Sequence, residues 1–317
     1  MQVSVVIPCY NTTTVIFELI DETISELEQL GFSSYEFILV NDSSPDKGTF
    51  PLLLQAAQKY RCIKLIDLSK NFGQANAQMA ALNHAMGDII INLDDDMQTH
   101  PESIALLYQK LQEGYDVVIG EYPDKKHSFL RRCLTKMNDS FDRVFMKRPK
   151  ELQFTSLWVM KKFVRDEIVK YPFPYAYFEG LILRATSNIA NVPVDHVQRA
   201  QGSSGYDLKR LVKLWSNFTS FSILPLRLVG IFGFLIALIG VVYTIVAVVQ
   251  KILIPDIMMG YTSLLCVSLI GFGLVSFFLG VIGEYIGRIF ICLNNSPQFV
   301  IRRLYDFSNE QRNQQLP

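Results

Sequence analysis

From the start of the chain to Gly120, short unbroken apolar runs alternate with segments whose apolar residues recur every three or four positions. Apolar runs bounded by turn residues read as buried strands, and the longer spacing reads as helices packed by one face. VSVVIP (3–8) predicts a first strand, and Ile16, Leu19, Ile20, Thr23, Leu27 and Leu30 then fall on or near one face of a helix that stops at Gly31. YEFILVND (35–42) and CIKLIDL (62–68) predict the second and third strands. GQANAQMAALNHAMG (73–87) reads as a helix of small residues ending at Gly87, and DIIINLD (88–94) and YDVVIG (115–120) as strands four and five. Thr99 and Glu102 have the spacing of a capping box that would open the helix between those two strands. Alternation of this kind predicts an α/β fold with a mostly parallel sheet. Beyond Gly120 the pattern loosens.

Two later stretches, 228–250 and 257–283, carry no charged residue. A helix of ~20 residues spans ~30 Å, the thickness of a hydrocarbon core, and the connection KILIPDIMMG is too short to bury such helices beneath another domain. The pattern predicts a C-terminal two-helix transmembrane hairpin. Just before it, Leu208, Leu211, Val212, Trp215, Phe218 and Ser222 recur at helical spacing, with Lys209, Arg210 and Lys213 forming a basic side. A cationic amphipathic helix next to a span belongs in the headgroup layer. The expected organisation is a globular domain over 1–205, a juxtamembrane helix over 206–227, the hairpin over 228–290 and a tail over 291–317. Lys209, Arg210, Lys213 and Arg227 precede the first span and Arg288, Arg302 and Arg303 follow the second, while the loop between carries Lys251 opposed by Asp256. The positive-inside rule then puts both termini of a multi-pass membrane protein in the cytoplasm, the cytoplasmic (inner) membrane being the expected location. Glu284 and Arg288, one turn apart, could pair within the second span.

These stretches account for a composition that is half hydrophobic, with mean hydropathy +0.21. Thirty Lys and Arg balance thirty Asp and Glu, so no global field draws the chain to nucleic acid. Cys9, Cys62, Cys133, Cys266 and Cys292 are odd in number and scattered, which reads as free thiols in reducing surroundings. The opening MQVSVVIPCYN lacks the basic region and cleavage site of a secretory signal.

The candidate chemistry lies in INLDDDMQTHPE (91–102), where a buried strand runs into three carboxylates. Strand alternation would point Asp94 and Asp96 to one side and Asp95 to the other, at the carboxyl edge of a parallel sheet where such folds bind ligands. Converging carboxylates need a cation, and hard oxygen donors suit Mg2+ or Mn2+ completed by phosphate oxygens and water. His100, beside a helix start, reads as exposed.

Several stretches together resemble the family 2 glycosyltransferases of GT-A (Rossmann-like) fold. IPCYN resembles their PxYN, NDSS their (D/N)DGS turn and LDDDMQ their DxD with its DxDLQ extension. SKNFGQANAQMAALNHAMGD, HVQRAQGSSGY, ILPLR and GEYIGR resemble blocks of the polyisoprenyl-phosphate subgroup, in order along nearly the whole chain. The resemblance implies an inverting, metal-dependent transfer from a nucleotide-sugar donor to a polyisoprenyl phosphate such as undecaprenyl phosphate. It implies that Pro8, Tyr10, Asn11, Lys70 and Asp95 belong to the nucleotide pocket, with Asp42 bonding the base. Asp94 and Asp96 would face the sugar diphosphate and hold the metal, with Gln98 beside it. Arg199 and Ser204 would sit near the acceptor phosphate or the donor diphosphate, with Arg199 near the reacting atoms; apart from the resemblance, Arg131 is a further cation that could serve the acceptor phosphate. The likeness also hints at a homo-oligomer. Three positions depart from the pattern: Thr12 follows Asn11 where an acid is usual, Lys70 replaces an Arg, and Ser156 or a neighbour stands where the family often has an Asp. Ser cannot act as a carboxylate base. A phosphate monoester, with a second pKa near ~6, is already largely ionised at neutral pH and needs none. The rival readings are transfer to a hydroxyl of a lipid-linked glycan, which would need a base, and a non-catalytic membrane partner that binds nucleotide sugar or lipid.

Overall fold

A computed structural model of the chain describes residues 1–122, 152–174, 176–195, 224–253, 261–294 and 296–307. Among the described residues, eight strands form one sheet: β1 (Gln2–Cys9), β2 (Ser34–Asn41), β3 (Ile63–Leu68), β4 (Ile89–Asn92), β5 (Val117–Glu121), β6 (Trp158–Lys161), β7 (Ile189–Pro193) and β8 (Ile301–Asp306). Their order is β7-β5-β6-β4-β1-β2-β3-β8. The pairs β1–β2, β1–β4, β2–β3 and β5–β7 are parallel, whereas β6 runs antiparallel between β4 and β5, and β8 antiparallel along β3. This is the mixed, largely parallel α/β sheet that the apolar runs predict, with three strands, β6, β7 and β8, added that they do not reveal.

The helices α1 (Val15–Gln29), α2 (Thr49–Lys59), α3 (Gln74–His84) and α4 (Ser103–Gln112) connect the parallel strands. Val3, Val5 and Ile7 on one face of β1 share a core with Ile16, Leu19, Ile20 and Leu27 of α1 and with Ile104 and Leu107 of α4. α1 ends where expected. Phe32 N–H donates to Leu27 C=O at 3.0 Å, and Gly31 takes φ +82°, the left-handed turn that glycine adopts at least cost. The capping box at Thr99 is not formed. The Thr99 hydroxyl donates instead to Tyr122 at 3.1 Å, and α4 starts after Pro101 with no side-chain cap. Two shorter helices, α5 (Lys162–Ile168) and α6 (Phe178–Ala185), follow β6. Phe178 stacks on the buried Trp158 ring with centroids 4.9 Å apart.

The amino-terminal edge of the sheet is stapled by a polar cluster. Ser4 Oγ donates to Glu36 at 2.6 Å, Lys64 pairs with the same carboxylate at 2.7 Å, and the amides of Met86 and Gly87 donate to Glu36 and Ser4. Buried charge survives only when satisfied in this way. Gly87 is obligatory here, because a Cβ would meet Ser4 N at 2.5 Å and the Val3 carbonyl carbon at 2.8 Å, both backbone atoms.

The chain divides into two compact units, residues 1–205 with 296–317, and residues 206–295. The second contains α7 (Leu224–Leu253) and α8 (Tyr261–Leu293), both apolar along their length. Among the described residues, one stretch, Gly271–Leu293, is by itself long and apolar enough to cross a bilayer. The region expected as a tail, 291–317, instead closes α8 and supplies edge strand β8 to the sheet of the first unit. The juxtamembrane helix expected over 206–227 lies outside the described residues up to 223, as does the side chain of Arg288 and hence its pairing with Glu284. Among the described cysteines, Cys9, Cys62 and Cys292 are free thiols.

Gly87→Ala should destabilise the first unit by about 1–3 kcal/mol through forced separation of β1 from the 86–88 turn. Chemical unfolding of purified protein checks this; a midpoint unchanged from wild type would show that the turn can yield.

Candidate active site

Four loops leave the carboxyl ends of β1, β2, β3 and β4 on the same edge of the sheet, the edge where parallel α/β sheets bind ligands. They enclose a cavity of about 360 Å3 lined by Pro8, Cys9 and Tyr10 after β1, Asp42 after β2, Asn71, Gly73, Gln74 and Ala77 around the start of α3, and Asp94, Asp95 and Asp96 after β4.

Three of these loops have an unusual backbone. Asn11 and Ser43 take φ +56° and +50°, and Met97 takes +56°, conformations that side chains other than glycine adopt rarely. Hydrogen bonds hold the first of these turns. Asn11 N–H donates to Ser44 Oγ at 3.1 Å, and Ser44 in turn donates both its amide and its hydroxyl to Asn41 Oδ1. Asp42 takes the amides of Phe72 and Gly73 at 2.7 and 2.8 Å, one on each carboxylate oxygen. Burial pushes the Asp42 carboxyl above its usual range and these two amides oppose the shift. Asp42 therefore anchors the loop that opens α3, a duty the sequence did not announce.

The three acids do not alternate. β4 ends at Asn92, a tight turn follows, and all three carboxylates line the one cavity, because strand periodicity ends where the ladder ends. Asp94 accepts from Gln74 Nε2 at 3.1 Å and from the Ser156 hydroxyl. Asp95 accepts from Tyr10 N–H at 3.2 Å and from the Thr12 hydroxyl, both on Oδ2. Asp96 accepts from the amide and side chain of Gln98 at 3.2 and 2.6 Å. Asp94 is held above the ordinary carboxylate range chiefly by burial, and the charges of Asp96 and Asp95 add to the effect. Asp95 is raised by burial and by Asp96, against the bonds from Thr12 and Tyr10.

Of the residues expected in the site, Pro8, Tyr10, Asp42, Asp94, Asp95 and Asp96 line the cavity, while Asn11 and Gln98 act from just behind it. Lys70 does not line it; its ammonium lies over the Phe72 ring, 5.1 Å from the centroid, as an exposed cation on an aromatic face. Arg131, Arg199 and Ser204 lie outside the described residues. Sequence reasoning missed Gln74 and Thr12 as partners of the acids. It met Ser156 only as a departure, yet that residue is a hydroxyl donor to Asp94, and Tyr122 OH stands 3.4 Å behind it. His100 is exposed, as expected, and borders a second cavity of about 590 Å3 with Glu102, Glu121 and Asp195. Among the described residues that lining carries three carboxylates, a poor host for an anion.

The donor set suits a hard divalent cation. Among the described residues no three acidic, histidine or cysteine side chains converge as a complete cage. Mg2+ and Mn2+ seldom need one when a diphosphate completes their shell, since one or two carboxylates suffice. The start of α3 at Gly73, Gln74 and Ala77 also faces the cavity, presenting the positive end of the helix dipole to an anion there.

Comparison with known proteins identifies the family. Residues 4–170 match the family description "Glycosyl transferase family 2". The chain belongs to that family. It is 32% identical over 307 residues to the undecaprenyl-phosphate 4-deoxy-4-formamido-L-arabinose transferase of Klebsiella pneumoniae (strain 342), covering 96% of this chain and 93% of that one. The transferase of the same name from Edwardsiella ictaluri (strain 93-146) is 30% identical over 311 residues, covering 95% and 94%. An uncharacterized glycosyltransferase, YkcC, of Bacillus subtilis (strain 168) is 29% identical over 312 residues, covering 98% and 96%. Among solved structures, glucosyl-3-phosphoglycerate synthase from Mycobacterium tuberculosis aligns with 70% of this chain and 80% of its own at 19% identity and TM-score 0.49. No residue role follows from a likeness of that size. As a family 2 glycosyltransferase the protein is an enzyme of sugar transfer, and its substrates are the question.

Because the bonds from Tyr10 and Thr12 both fall on Asp95 Oδ2, Asp95→Asn can keep these two while removing a largely buried charge. A carboxyl raised on folding contributes stability below its unfolded pKa of ~3.9 that is lost as pH rises through the folded value. The Asn variant should therefore melt at or above the wild-type temperature at pH 7.5, and the difference should shrink as pH falls toward ~4. Thermal unfolding at several pH values checks this; a variant less stable at neutral pH would contradict it.

Proposed function

We propose that this enzyme transfers a sugar from a nucleotide-sugar donor to a polyisoprenyl phosphate, undecaprenyl phosphate by the names of its relatives, at the cytoplasmic face of the membrane. The observation that carries the reading is the cavity: three consecutive carboxylates, a helix start and the Tyr10 and Asp42 walls meet at one sheet edge. That arrangement suits a nucleoside diphosphate. Exposed Tyr10 offers a face for the base, Asp42 retains lone pairs for a base N–H, and the start of α3 faces the diphosphate. Asp94 and Asp96 would hold Mg2+ or Mn2+, with Gln98 beside them, and the bound ion would offset charge on the leaving diphosphate.

The acceptor is argued from the chemistry of the lining. Among the described residues its carboxylates are Asp42, Asp94, Asp95 and Asp96, and each already accepts dedicated hydrogen bonds. Ser156, where the family pattern leads one to expect an acid, donates to Asp94 and cannot remove a proton from a hydroxyl. A phosphate oxygen is ionised already. It attacks the anomeric carbon, the bond from that carbon to the diphosphate oxygen breaks, and the nucleoside diphosphate leaves with the electron pair. A single displacement inverts the configuration. Arg131, Arg199 and Ser204 are proposed to receive the acceptor phosphate.

The chain path supports the membrane placement. β7 precedes the two apolar helices and β8 follows them, yet both strands lie in one sheet. Whatever the helices cross, they cross an even number of times, so both flanks share one side. Phe234, Leu264 and Phe272 on these helices are 70, 69 and 73% exposed. Apolar surface of that extent belongs in lipid. A lipid acceptor would then meet the site by search within a plane instead of a volume.

Purified enzyme given radiolabelled nucleotide sugars should glycosylate polyprenyl phosphate and leave polyprenol and glycan hydroxyls unmodified; transfer to a hydroxyl at a comparable rate would overturn the acceptor assignment. Asp96→Ala should lower transfer by at least about 100-fold while the protein stays folded, and excess EDTA should do the same to wild type. Full activity of either would remove the metal from the account.

A further inference from the structure

The turn at Asn11 is the end of a polar chain that begins at the β8 edge of the sheet. Ser44 Oγ, which accepts Asn11 N–H, is fixed by Asn41 Oδ1. Asn41 Nδ2 donates to Asp67 Oδ1 at 2.8 Å, and Asp67 Oδ2 accepts from Arg302 Nη1 at 3.3 Å. The second guanidinium nitrogen of Arg302 donates to Ser69 C=O at 2.8 Å, at the start of the loop that Asp42 anchors from its far end. Cys9, Asn41 and Asp67 are cross-strand partners in one row through β1, β2 and β3. Asn41 and Asp67 are buried at 4 and 5% exposure, so neither can readily exchange its partner for water.

Arg302 reaches that row by a local irregularity. Asp67 pairs with Arg303 and Leu68 with Ile301, which leaves Arg302 as the extra residue of a β-bulge. Bulges re-aim a side chain that regular pleating would send elsewhere. The neighbouring residues hold further loops of the site edge. Val300 C=O accepts Ser69 N–H at 2.9 Å, and buried Gln298 donates to the carbonyls of Tyr171 and Phe173 at 3.3 and 2.8 Å. Asn76, in the first turn of α3, bonds the next carbonyl of that aromatic loop, Pro174, at 3.1 Å.

We propose that Arg302 is a positioning residue for the donor site: through Asp67, Asn41 and Ser44 it sets the left-handed turn at Asn11, and through Ser69 it sets the loop that opens α3. The strand that re-enters the sheet after the apolar helices thus completes the nucleotide half of the cavity. This rests on reading that cavity as the donor site. Arg302 touches no reacting atom, so its loss should weaken donor binding and leave the chemical step nearly unchanged.

The test uses full-length protein in detergent micelles and compares Arg302→Ala, Arg302→Lys and, as a control on the same strand, Arg303→Ala. Hydrogen exchange should quicken about tenfold in peptides covering 9–12, 41–45 and 69–73 of Arg302→Ala, with the β1 and β4 core unchanged. Arg303→Ala should leave all of them at wild-type rates. Binding of UDP, GDP and TDP in the presence of Mn2+ should show the nucleotide that stabilises wild type bound about tenfold more weakly by Arg302→Ala. The conservative Arg302→Lys change keeps one of the two contacts and should recover part of that loss, and the donor KM should rise with kcat within about twofold. Unchanged exchange in the three peptides, an equal increase across the whole sheet, or a fall in kcat at constant KM would each overturn the proposal. If none of the three nucleotides stabilises wild type, the donor-site reading fails, and the exchange pattern still decides the relay.

Discussion

Adjacent carboxylates in a half-buried cleft repel one another, and the edge of this sheet is organised around holding three of them. Each acid receives its own donors, and those donors come from different segments. Gln74 at the start of α3 and Ser156 before β6 serve Asp94; the exit of β1 serves Asp95 through Tyr10 and Thr12; Gln98 serves Asp96 from within the turn. Satisfying the acids therefore fixes the relative placement of the loops that make the cavity. Hydrogen bonds lessen the cost of burying the charges without removing it, as the raised carboxyls of Asp94 and Asp95 show. On the proposed reading, a cation with a diphosphate would remove what remains, and the site would gain stability from its substrate.

The two edges of the sheet divide the labour. At the amino-terminal edge Ser4, Glu36, Lys64 and the 86–87 amides close on themselves, with every partner supplied from within the protein. At the carboxyl edge the partners leave room for a guest. Asn41 and Asp67 belong to neither group; they carry the geometry of the edge strand across the sheet to the turn at Asn11. An inserted antiparallel strand, β6, serves the same edge, because it brings Ser156 to Asp94 while its Trp158 fills the core.

The elements most legible in the sequence are those made of local patterns. The first five strands, α1 with its glycine stop and the small-residue helix α3 follow from apolar runs and spacing, although α3 ends at His84 and not at the expected Gly87. What local pattern could not give was non-local. β6 is four residues long and takes its identity from the two strands it joins, and β8, IRRLYD, is too charged to read as a strand because it sits at an edge with one side open. The alternation expected of Asp94, Asp95 and Asp96 failed because β4 stops two residues earlier than its apolar run implied. The capping box failed because Thr99 found a tertiary partner in Tyr122. Ser156 looked like a defect in a motif; in three dimensions it is a donor to the first acid of the cluster.

Manganese electron paramagnetic resonance on the full-length protein, titrated with the nucleoside diphosphate it binds, tests the central claim most directly. The account predicts that the free Mn2+ signal falls to a single-site endpoint when nucleotide is present, and that substituting both Asp94 and Asp96 by Asn restores the free signal while the protein stays folded. Mn2+ held equally well by that double variant would place the ion elsewhere and contradict the account.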